Sequence, residues 1–371
     1  MIPWYKAIDL QSLQSMDKQQ TTAADKYLIV GQGLAGTLLG LELRNAGVCF
    51  RIAEGDLANS ASPVAAGILN PITGKRLVKS WRLETFFPTA RKTYSELEDM
   101  FGLSFFEPTR ILRLFQNEKE KQIWKKRKQD PEYIDWLGAQ HPPGHFGDTL
   151  RDDLGSFEIL HSGTLDVKAL LNAARKMFLD DGCMVQTLFS HADLQVSPRA
   201  STWQGEEFQK IIFCEGFRIM DNPWFKRIPM EPARGEVQKV QVQASLPKAI
   251  LNRGKWLRPE GEGIYQAGAT HSWDKLLSGP EEKERREMVA GIRSILQNDP
   301  LILERKIGVR SSCKDRRPIL GTHPENPSLA ILNGLGSKGT LMGPWLARHL
   351  AKVIIQGVKP DPELNVQRFW V

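Results

Sequence analysis

The sequence predicts an α/β fold with two domains, and three observations support this. The segment from Lys26 to Glu54 reads as a strand, a glycine-rich turn, a helix and a second strand, the order of a parallel βαβ unit. The chain has 371 residues, more than a single hydrophobic core usually serves. The regular pattern stops near Ser60, so a uniform series of βαβ units is not expected.

The first motif predicts a Rossmann-like nucleotide-binding unit. An apolar run, "KYLIV", ends at Val30 and is typical of a buried parallel strand. A G-x-G-x-x-G motif formed by Gly31, Gly33 and Gly36 comes directly after it and opens a leucine-rich helix. Glu54 lies 21 positions after Gly33, at the tip of the next strand. This context, rather than the glycines alone, indicates a dinucleotide site.

Each residue type in this motif has a physical role in binding a dinucleotide. Gly31 permits the tight turn, Gly33 lets the backbone approach a pyrophosphate, and Gly36 lets the helix pack against the strand. The helix start at Leu34 and Ala35 supplies free N–H groups and a partial positive charge. We therefore expect these five residues to contact the cofactor.

The identity of the dinucleotide depends on Glu54 and on the loop after it. A carboxylate at this position accepts hydrogen bonds from the ribose hydroxyls and disfavours the 2′-phosphate of NADP. The loop, "NSASPVAAGILNPITGKR", is rich in small residues and has no strong periodicity, unlike the regular repeats of a nicotinamide dehydrogenase. In this loop Lys75 and Arg76 either approach the active site or only contact solvent, and the sequence leaves both open.

Further elements are predicted along the chain. A helix is predicted in "TLDVKALLNAARKMFLDDGCMVQT", with Asp166 near its N-terminus. Apolar or alternating strands are predicted in "FQKIIFCEGF", "GEVQKVQVQ" and "GIYQAGAT". The charged segment "PEEKERREMVAGIRSIL" has helical character, and a second glycine loop, "NGLGSKGT", opens the last helix.

Taken together, these segments resemble the D-amino-acid oxidase and glycine oxidase superfamily of FAD-dependent oxidoreductases. The first motif is similar to the extended family pattern, which includes Gly40, Leu43, Gly47 and Phe50. The other similar segments are "SPVAAGILNP", "IIFCEGF", "PARGEV", "WLRPEGEGIYQAGAT", "GVRSSCKDRRPILG" and "NGLGSKGTLMGPWLARHLA". The last two most resemble the flavin half of the bifunctional enzyme that trims carboxymethylaminomethyl groups on tRNA wobble uridine. The resemblance covers residues 27 to about 357.

The resemblance implies a discontinuous domain plan with FAD as the cofactor. A Rossmann-like FAD-binding domain would comprise residues 26–77, 156–225 and 305–371. A substrate domain with a mixed or antiparallel sheet would be inserted as residues 78–155 and 226–304. Residues 1–25 would be a flexible extension, too short for the methyltransferase half of that bifunctional enzyme. The further FAD contacts implied by the family segments are Ser62, Ala66, Gly67 and Gly216.

The resemblance also implies a reaction at a C–N bond next to a carboxylate. Hydride would leave the substrate carbon for flavin N5, and the imine would then hydrolyse. Arg310 lies where the family places a carboxylate-binding arginine, although a structural salt bridge would also explain it. Trp256 lies where an aromatic residue often walls the substrate pocket, or else it is a core residue. An amine that arrives neutral needs no protein base, so none is assigned.

The second glycine loop is expected at the pyrimidine end of the flavin. Gly336, Ser337, Gly339 and Thr340 would present N–H groups to the negative charge that reduction places on N1 and the C2 carbonyl. Lys338 would add a positive charge there; the alternative is an exposed lysine that misses the ring. This loop is not a phosphate-binding Walker loop, because Lys338 precedes Gly339 and the order is reversed.

Composition sets the remaining limits. The net charge of +7 permits an acidic partner such as tRNA, although the basic run "KEKQIWKKRK" is more typical of a solvated helix face. A membrane span and a secretory signal are not expected, and four widely spaced cysteines favour buried free thiols in the cytoplasm. "HPPGH" reads as a surface turn rather than a metal site.

The sequence is compatible with three functions. The first is FAD-dependent oxidation of a small amine or amino acid. The second is a stand-alone tRNA-modifying flavoenzyme that acts on a carboxymethylaminomethyl-type uridine, for which a broad basic face around the pocket would be required. The third is a flavin-binding protein without turnover, which flavin reduction by any amine would exclude.

Overall fold

The computed structural model describes residues 26–55 and 60–370, so the predicted extension at 1–25 lies outside the described residues. The helices are α1 (Leu34–Asn45), α2 (Leu83–Phe101), α3 (Glu118–Lys128), α4 (Val167–Asp180), α5 (Glu282–Arg293) and α6 (Gly339–Gln356). The strands are β1 (Tyr27–Val30), β2 (Phe50–Ala53), β3 (Ile68–Leu69), β4 (Ile72–Thr73), β5 (Val78–Lys79), β6 (Phe106–Pro108), β7 (Ile111–Leu114), β8 (Leu137–His141), β9 (Ser156–Ile159), β10 (Gly163–Leu165), β11 (Met184–Val185), β12 (Leu194–Gln195), β13 (Ser201–Trp203), β14 (Glu206–Phe208), β15 (Lys210–Phe213), β16 (Ala233–Gln241), β17 (Ile250–Arg253), β18 (Lys255–Gly261), β19 (Ile264–Gly268), β20 (Leu301–Arg310), β21 (Ile319–Thr322) and β22 (Leu329–Asn333).

A six-stranded sheet with the order β11-β2-β1-β15-β22-β21 forms the centre of the first layer. Its first five strands run parallel, and β21 is antiparallel to β22. The apolar run of β1 is buried throughout because helices or loops cover both faces of the sheet. The predicted Rossmann-like βαβ unit is therefore confirmed, with α1 connecting β1 to β2.

Helices α1, α4 and α6 cover one face of this sheet and share one apolar core with it. The predicted helix is confirmed as α4, and Asp166 caps it, because its side chain accepts a hydrogen bond of 2.9 Å from the Ala169 N–H. A second apolar cluster, centred on Phe208 and Phe213, covers the opposite face. Burial on both faces fixes the carboxyl ends of β1, β15 and β22 at one edge, where ligands bind in open α/β sheets.

The second layer is an eight-stranded sheet with the order β20-β16-β19-β18-β17-β7-β9-β8. Its neighbouring strands are antiparallel except for β17 and β7, which are parallel. The predicted mixed sheet is thus confirmed. Helix α5 closes one side by packing Met288 and Ile292 against Leu251 and Leu257.

The packing bears on the predicted domain boundaries, which stay a prediction. Helix α2, from the stretch 78–155, packs Phe86 and Tyr94 into the same core as α1 and α6. Strands β9 and β20 belong to the eight-stranded sheet, although β9 lies within 156–225 and β20 extends past 304. The chain therefore passes between the two layers more often than the proposed boundaries suggest.

Three composition-based expectations can be compared with the structure. The four cysteines are free thiols, but Cys49 is exposed and Cys183 is half-buried, so the expectation that all are buried is wrong at those two positions. The basic run forms α3, where Lys128 donates to the Leu137 carbonyl and Arg127 stacks on Tyr133. Within residues 26–55 and 60–370, the helices are all too short or too polar to cross a bilayer.

Candidate active site

A cavity of about 250 Å³ lies at the carboxyl edge of the six-stranded sheet and reaches strands of the eight-stranded sheet. It brings together nearly every residue that the sequence singled out. The predicted residues that line it are Gly31, Gly33, Leu34, Ala35, Glu54, Ser62, Ala66, Gly67, Gly216, Trp256, Arg310, Gly336, Ser337, Gly339 and Thr340. Gly36 and Lys338 are predicted residues outside this lining.

The first glycine loop has no room for side chains. Gly31 has a φ of +99°, and a Cβ there would lie 2.7 Å from the Cys214 carbonyl oxygen. A Cβ on Gly36 would lie 1.9 Å from the Gly31 carbonyl oxygen and 3.2 Å from the Ile29 side chain. Gly36 therefore packs helix against strand, while Gly31 and Gly33 face the cavity.

The N-terminus of α1 faces the cavity as an anion-binding group. Its N-cap is Gly33, which provides no side-chain cap, so N–H groups of the first turn are left for a ligand. The Leu34 N–H donates to Ser62 Oγ at 3.1 Å, which joins the helix to the small-residue loop. Glu54 accepts a hydrogen bond from the Gln32 N–H, which orients its carboxylate at the rim.

The N-terminus of α6 faces the same cavity. Gly336 has a φ of +54°, and its N–H donates to the Ser311 carbonyl at 2.8 Å. Tyr94 Oη donates to the Thr340 carbonyl at 2.6 Å and ties α6 to α2. The Leu34 side chain lies 3.2 Å from where a Gly339 Cβ would be, so the two helix starts approach each other closely.

The Lys338 side chain points away from this cavity lining. Its Nζ donates to Ser80 Oγ at 2.7 Å and to Thr73 Oγ1 at 3.2 Å, so it joins α6 to the β4–β5 hairpin. Burial lowers the pKa of Lys338 to about 8. Lys338 is half-buried, so the alternative of an exposed lysine is wrong, and its contact with the ring stays a prediction.

We expect the buried position of Lys338 to appear as a pH dependence of stability. The pKa of Lys338 is about 8 in the folded chain and 10.5, the ordinary value, in the unfolded chain. Between these two pH values, the unfolded chain binds a proton at Lys338 that the folded chain lacks. The contribution of Lys338 to the unfolding free energy should therefore rise with pH over this window. Urea titrations should show that Lys338→Met makes the pH dependence of the unfolding free energy less positive than in wild type, whereas substitution of the exposed Lys75 by methionine leaves it unchanged. An unchanged pH dependence in Lys338→Met would contradict the buried position.

Arg310 lies at the eight-stranded-sheet side of the cavity. Its Nη1 donates to the Thr270 carbonyl at 3.2 Å, and its guanidinium lies over Gly235, where a Cβ would be 2.4 Å from Nη1. Burial lowers the pKa of Arg310. Within the described part of the chain, the ion pairs include none between a carboxylate and Arg310. The alternative that Arg310 forms a structural salt bridge therefore has no carboxylate partner in the described part of the chain.

Trp256 forms a wall of the same region. It lies on β18 opposite Gly268 of β19, and a Cβ on Gly268 would be 2.2 Å from the indole Cζ2. Because residue 268 has no side chain, the indole ring can occupy this space. Trp256 also packs against the apolar cluster around Phe157, so it contributes both to the core and to the cavity wall.

Sequence reasoning missed several polar residues of the cavity, among them Glu215 and Asn333. Glu215 accepts hydrogen bonds from His191 Nε2 at 2.8 Å and Asn222 Nδ2 at 3.0 Å. Asn333 donates to the Gly216 carbonyl at 2.9 Å and accepts from Ser311 Oγ at 2.7 Å. Both lie at or just after the ends of parallel strands, and the rule that sites form at carboxyl ends of strands could have found them.

The residues present fit an extended dinucleotide. Two helix N-termini and two glycine loops line one cavity, and the Gly31 and Gly33 region is kept free of side chains. The lining lacks histidine and lysine among the described residues, and no cluster of three or more metal-ligating side chains occurs in that part of the chain. The two helix N-termini and the open glycine loops favour binding of an anionic organic cofactor.

Comparison with known families and curated proteins supports this assignment. A family model described as FAD dependent oxidoreductase (DAO) matches residues 26–353. The bifunctional protein ThiO/ThiG of Trichormus variabilis is 27% identical over 91% of this chain and 54% of its own length. The tRNA 5-methylaminomethyl-2-thiouridine biosynthesis bifunctional protein MnmC of Marinobacter nauticus is 22% identical over 91% of this chain and 56% of its own. The chain thus spans about half the length of these relatives.

Solved structures show the same fold. Glycine oxidase from Geobacillus kaustophilus has a TM-score of 0.78 at 18% identity, covering 93% of this chain and 98% of that one. L-α-glycerophosphate oxidase from Mycoplasma pneumoniae, solved with FAD bound, has a TM-score of 0.71 at 16% identity, with coverages of 92% and 97%. At these identities the likeness concerns the fold.

Proposed function

Because this chain belongs to the FAD-dependent oxidoreductase (DAO) family, we propose that it oxidises the C–N bond of a small amine or amino acid that carries a carboxylate. The observation that carries the proposal is Arg310, a half-buried cation that lines the cavity without a carboxylate partner among the described residues. A buried cation is costly unless it is paired. A substrate carboxylate would supply the missing charge.

FAD is the cofactor of the family, and the residues that would hold it come from both glycine loops. The first loop and the α1 N-terminus would bind the pyrophosphate, and Glu54 would bind the ribose. The α6 N-terminus, from Gly336 to Thr340, would face the pyrimidine end. The bound flavin supplies the hydride acceptor of the reaction.

The side chains near Arg310 would orient the substrate rather than react with it. The guanidinium presents a planar fork that matches a carboxylate, and Trp256 would hold the rest of the substrate against the wall. Of the described lining residues, the charged ones are Glu54, Glu215 and Arg310. Glu215 is already engaged by two donors. The amine would therefore enter neutral, its proton having gone to water.

Anaerobic reduction of the bound flavin tests this proposal. The purified yellow protein would be mixed with glycine, N-methylglycine and a panel of L- and D-amino acids, each paired with its amide. We expect bleaching of the flavin band by at least one carboxylate-bearing amine and much slower bleaching by its amide, because only the former pairs with Arg310. If none of the amines bleaches the flavin, the proposed reaction is wrong and a flavin-binding protein without turnover is favoured.

A second candidate function is oxidation of a carboxymethylaminomethyl group on tRNA. The supporting observations are the similarity to MnmC proteins and the exposed Lys119, Lys125 and Lys126 on α3. The same cavity would then take a carboxylate attached to a nucleoside. Flavin reduction by tRNA carrying this group, but by none of the free amino acids, would favour the second candidate over the first.

A further inference from the structure

A buried ion pair lies beside the proposed substrate site. Arg234 is 1% exposed, and its Nη2 lies 2.8 Å from Oε2 of Glu284, which is 7% exposed. Arg234 is on β16, directly before Gly235, the residue beneath the Arg310 guanidinium. Glu284 is on the first turn of α5, where it also accepts from the Glu281 N–H at 3.3 Å.

Arg234 bonds to one connecting segment at several points. This segment, residues 270–279, connects β19 toward α5 and includes Trp273, whose side chain is 53% exposed. Arg234 Nη1 donates to the Lys275 carbonyl at 2.8 Å and to Ser278 Oγ, and Nη2 donates to the Gly279 carbonyl at 2.7 Å. Its backbone exchanges two further hydrogen bonds, of 2.9 and 3.1 Å, with Ser272. The guanidinium therefore holds the later part of the segment, residues 275–279, and the Arg234 backbone holds its earlier part at Ser272.

The same segment orients Arg310. Within residues 26–55 and 60–370, the Arg310 guanidinium donates to the Thr270 carbonyl, at the start of the segment. Thr270 itself is bonded to β16, because its Oγ1 accepts from the Glu236 N–H at 2.8 Å. Thr270 is thus held by β16 on one side and by the rest of the segment on the other. Loosening the segment would give the Thr270 carbonyl, and with it the Arg310 guanidinium, more freedom to move.

We propose that Arg234 and Glu284 are positioning residues that hold the segment 270–279 and thereby fix Arg310 for a substrate carboxylate. This inference rests on the proposed function of Arg310. Buried ion pairs contribute little net stability compared with apolar packing. The Arg234–Glu284 pair is therefore better explained by the fixed conformation that it gives to the segment 270–279. A guanidinium held in one orientation binds a carboxylate with less loss of side-chain entropy.

Ligand binding to the FAD-loaded protein tests the proposal. Benzoate and benzamide, matched in shape but not in charge, would be titrated while the flavin absorbance is monitored. We expect Glu284→Gln, which keeps the side-chain shape, to weaken benzoate binding by about tenfold and to leave benzamide binding and flavin content unchanged. Glu282→Gln on the same helix is the matched control, because Glu282 pairs only at the surface with Arg285 and Arg286.

A double-mutant cycle separates positioning from a general structural effect. In an Arg310→Ala background, Glu284→Gln should not change the ratio of benzoate to benzamide affinity further. An equal loss for both ligands, or a further loss in that background, would overturn the proposal. If Glu284→Gln does not give folded, FAD-loaded protein, Ser278→Ala removes one contact of the same guanidinium and should show the same charge-selective loss.

The two proposals can fail separately. If wild type binds benzoate no better than benzamide, the role of Arg310 is wrong and both proposals fall. If wild type prefers benzoate and the Glu284 and Ser278 variants keep that preference in full, only the positioning role is wrong.

Discussion

Substitution of Gly36 by alanine is expected to give a protein that purifies without flavin and unfolds more readily. The new Cβ would lie 1.9 Å from the Gly31 carbonyl oxygen, so α1 must move away from β1. Overpacking of this kind costs about 1–3 kcal/mol, occasionally more. The same movement displaces the α1 N-terminus from the pyrophosphate site. Flavin absorbance per protein and the urea midpoint of unfolding measure the two effects.

Gly47→Ala is the matched control, because Gly47 lies just beyond the other end of α1. Its φ is +68° and a Cβ there would meet no atom within 4 Å. We expect a loss of about 1–2 kcal/mol from the left-handed backbone alone, with full flavin content. A Gly36→Ala protein that remains yellow with wild-type stability would contradict the close packing of α1 on β1.

The elements that the sequence predicts well are those fixed by local spacing. The strand before Gly31, the helix after Gly33 and the strand before Glu54 are predicted by period and glycine position, and all three are present. The Asp166 cap of α4 is likewise a local signal, since its oxygen and the N–H it accepts from are three residues apart. Backbone geometry that depends only on residues within one or two turns can therefore be predicted from the sequence.

The parts that sequence reasoning did not reach depend on distant contacts. Lys338 is adjacent to a predicted cofactor loop, yet its ammonium bonds to Thr73, which is 265 positions away. Nothing in the local pattern indicates that the β4–β5 hairpin lies there. Arg310 depends in the same way on Thr270, which lies in the connecting segment after β19, and α2 packs on α6 from more than two hundred residues upstream. Side-chain direction at the site is thus a property of tertiary packing.

Substitution of Arg310 by methionine is expected to abolish turnover of carboxylate-bearing amines while the protein keeps its flavin. Removing one partner of a buried charge pair costs about 2–5 kcal/mol of binding, which corresponds to about 10²- to 10³-fold in kcat/KM at the middle of that range. Arg310→Lys keeps a positive charge but not the planar fork, so an intermediate loss is expected. Steady-state kinetics with the best amine and its amide measure the effect.

The effect on stability distinguishes a ligand-binding arginine from a structural one. Burial lowers the pKa of Arg310, which means that the fold disfavours its charged form while no carboxylate is bound. Without ligand, Arg310→Met should therefore unfold at the same or a higher urea concentration than wild type. A saturating carboxylate should stabilise wild type by mass action and leave the variant unchanged. If Arg310→Met instead loses stability and flavin together, Arg310 serves the fold, and its role in substrate binding is refuted.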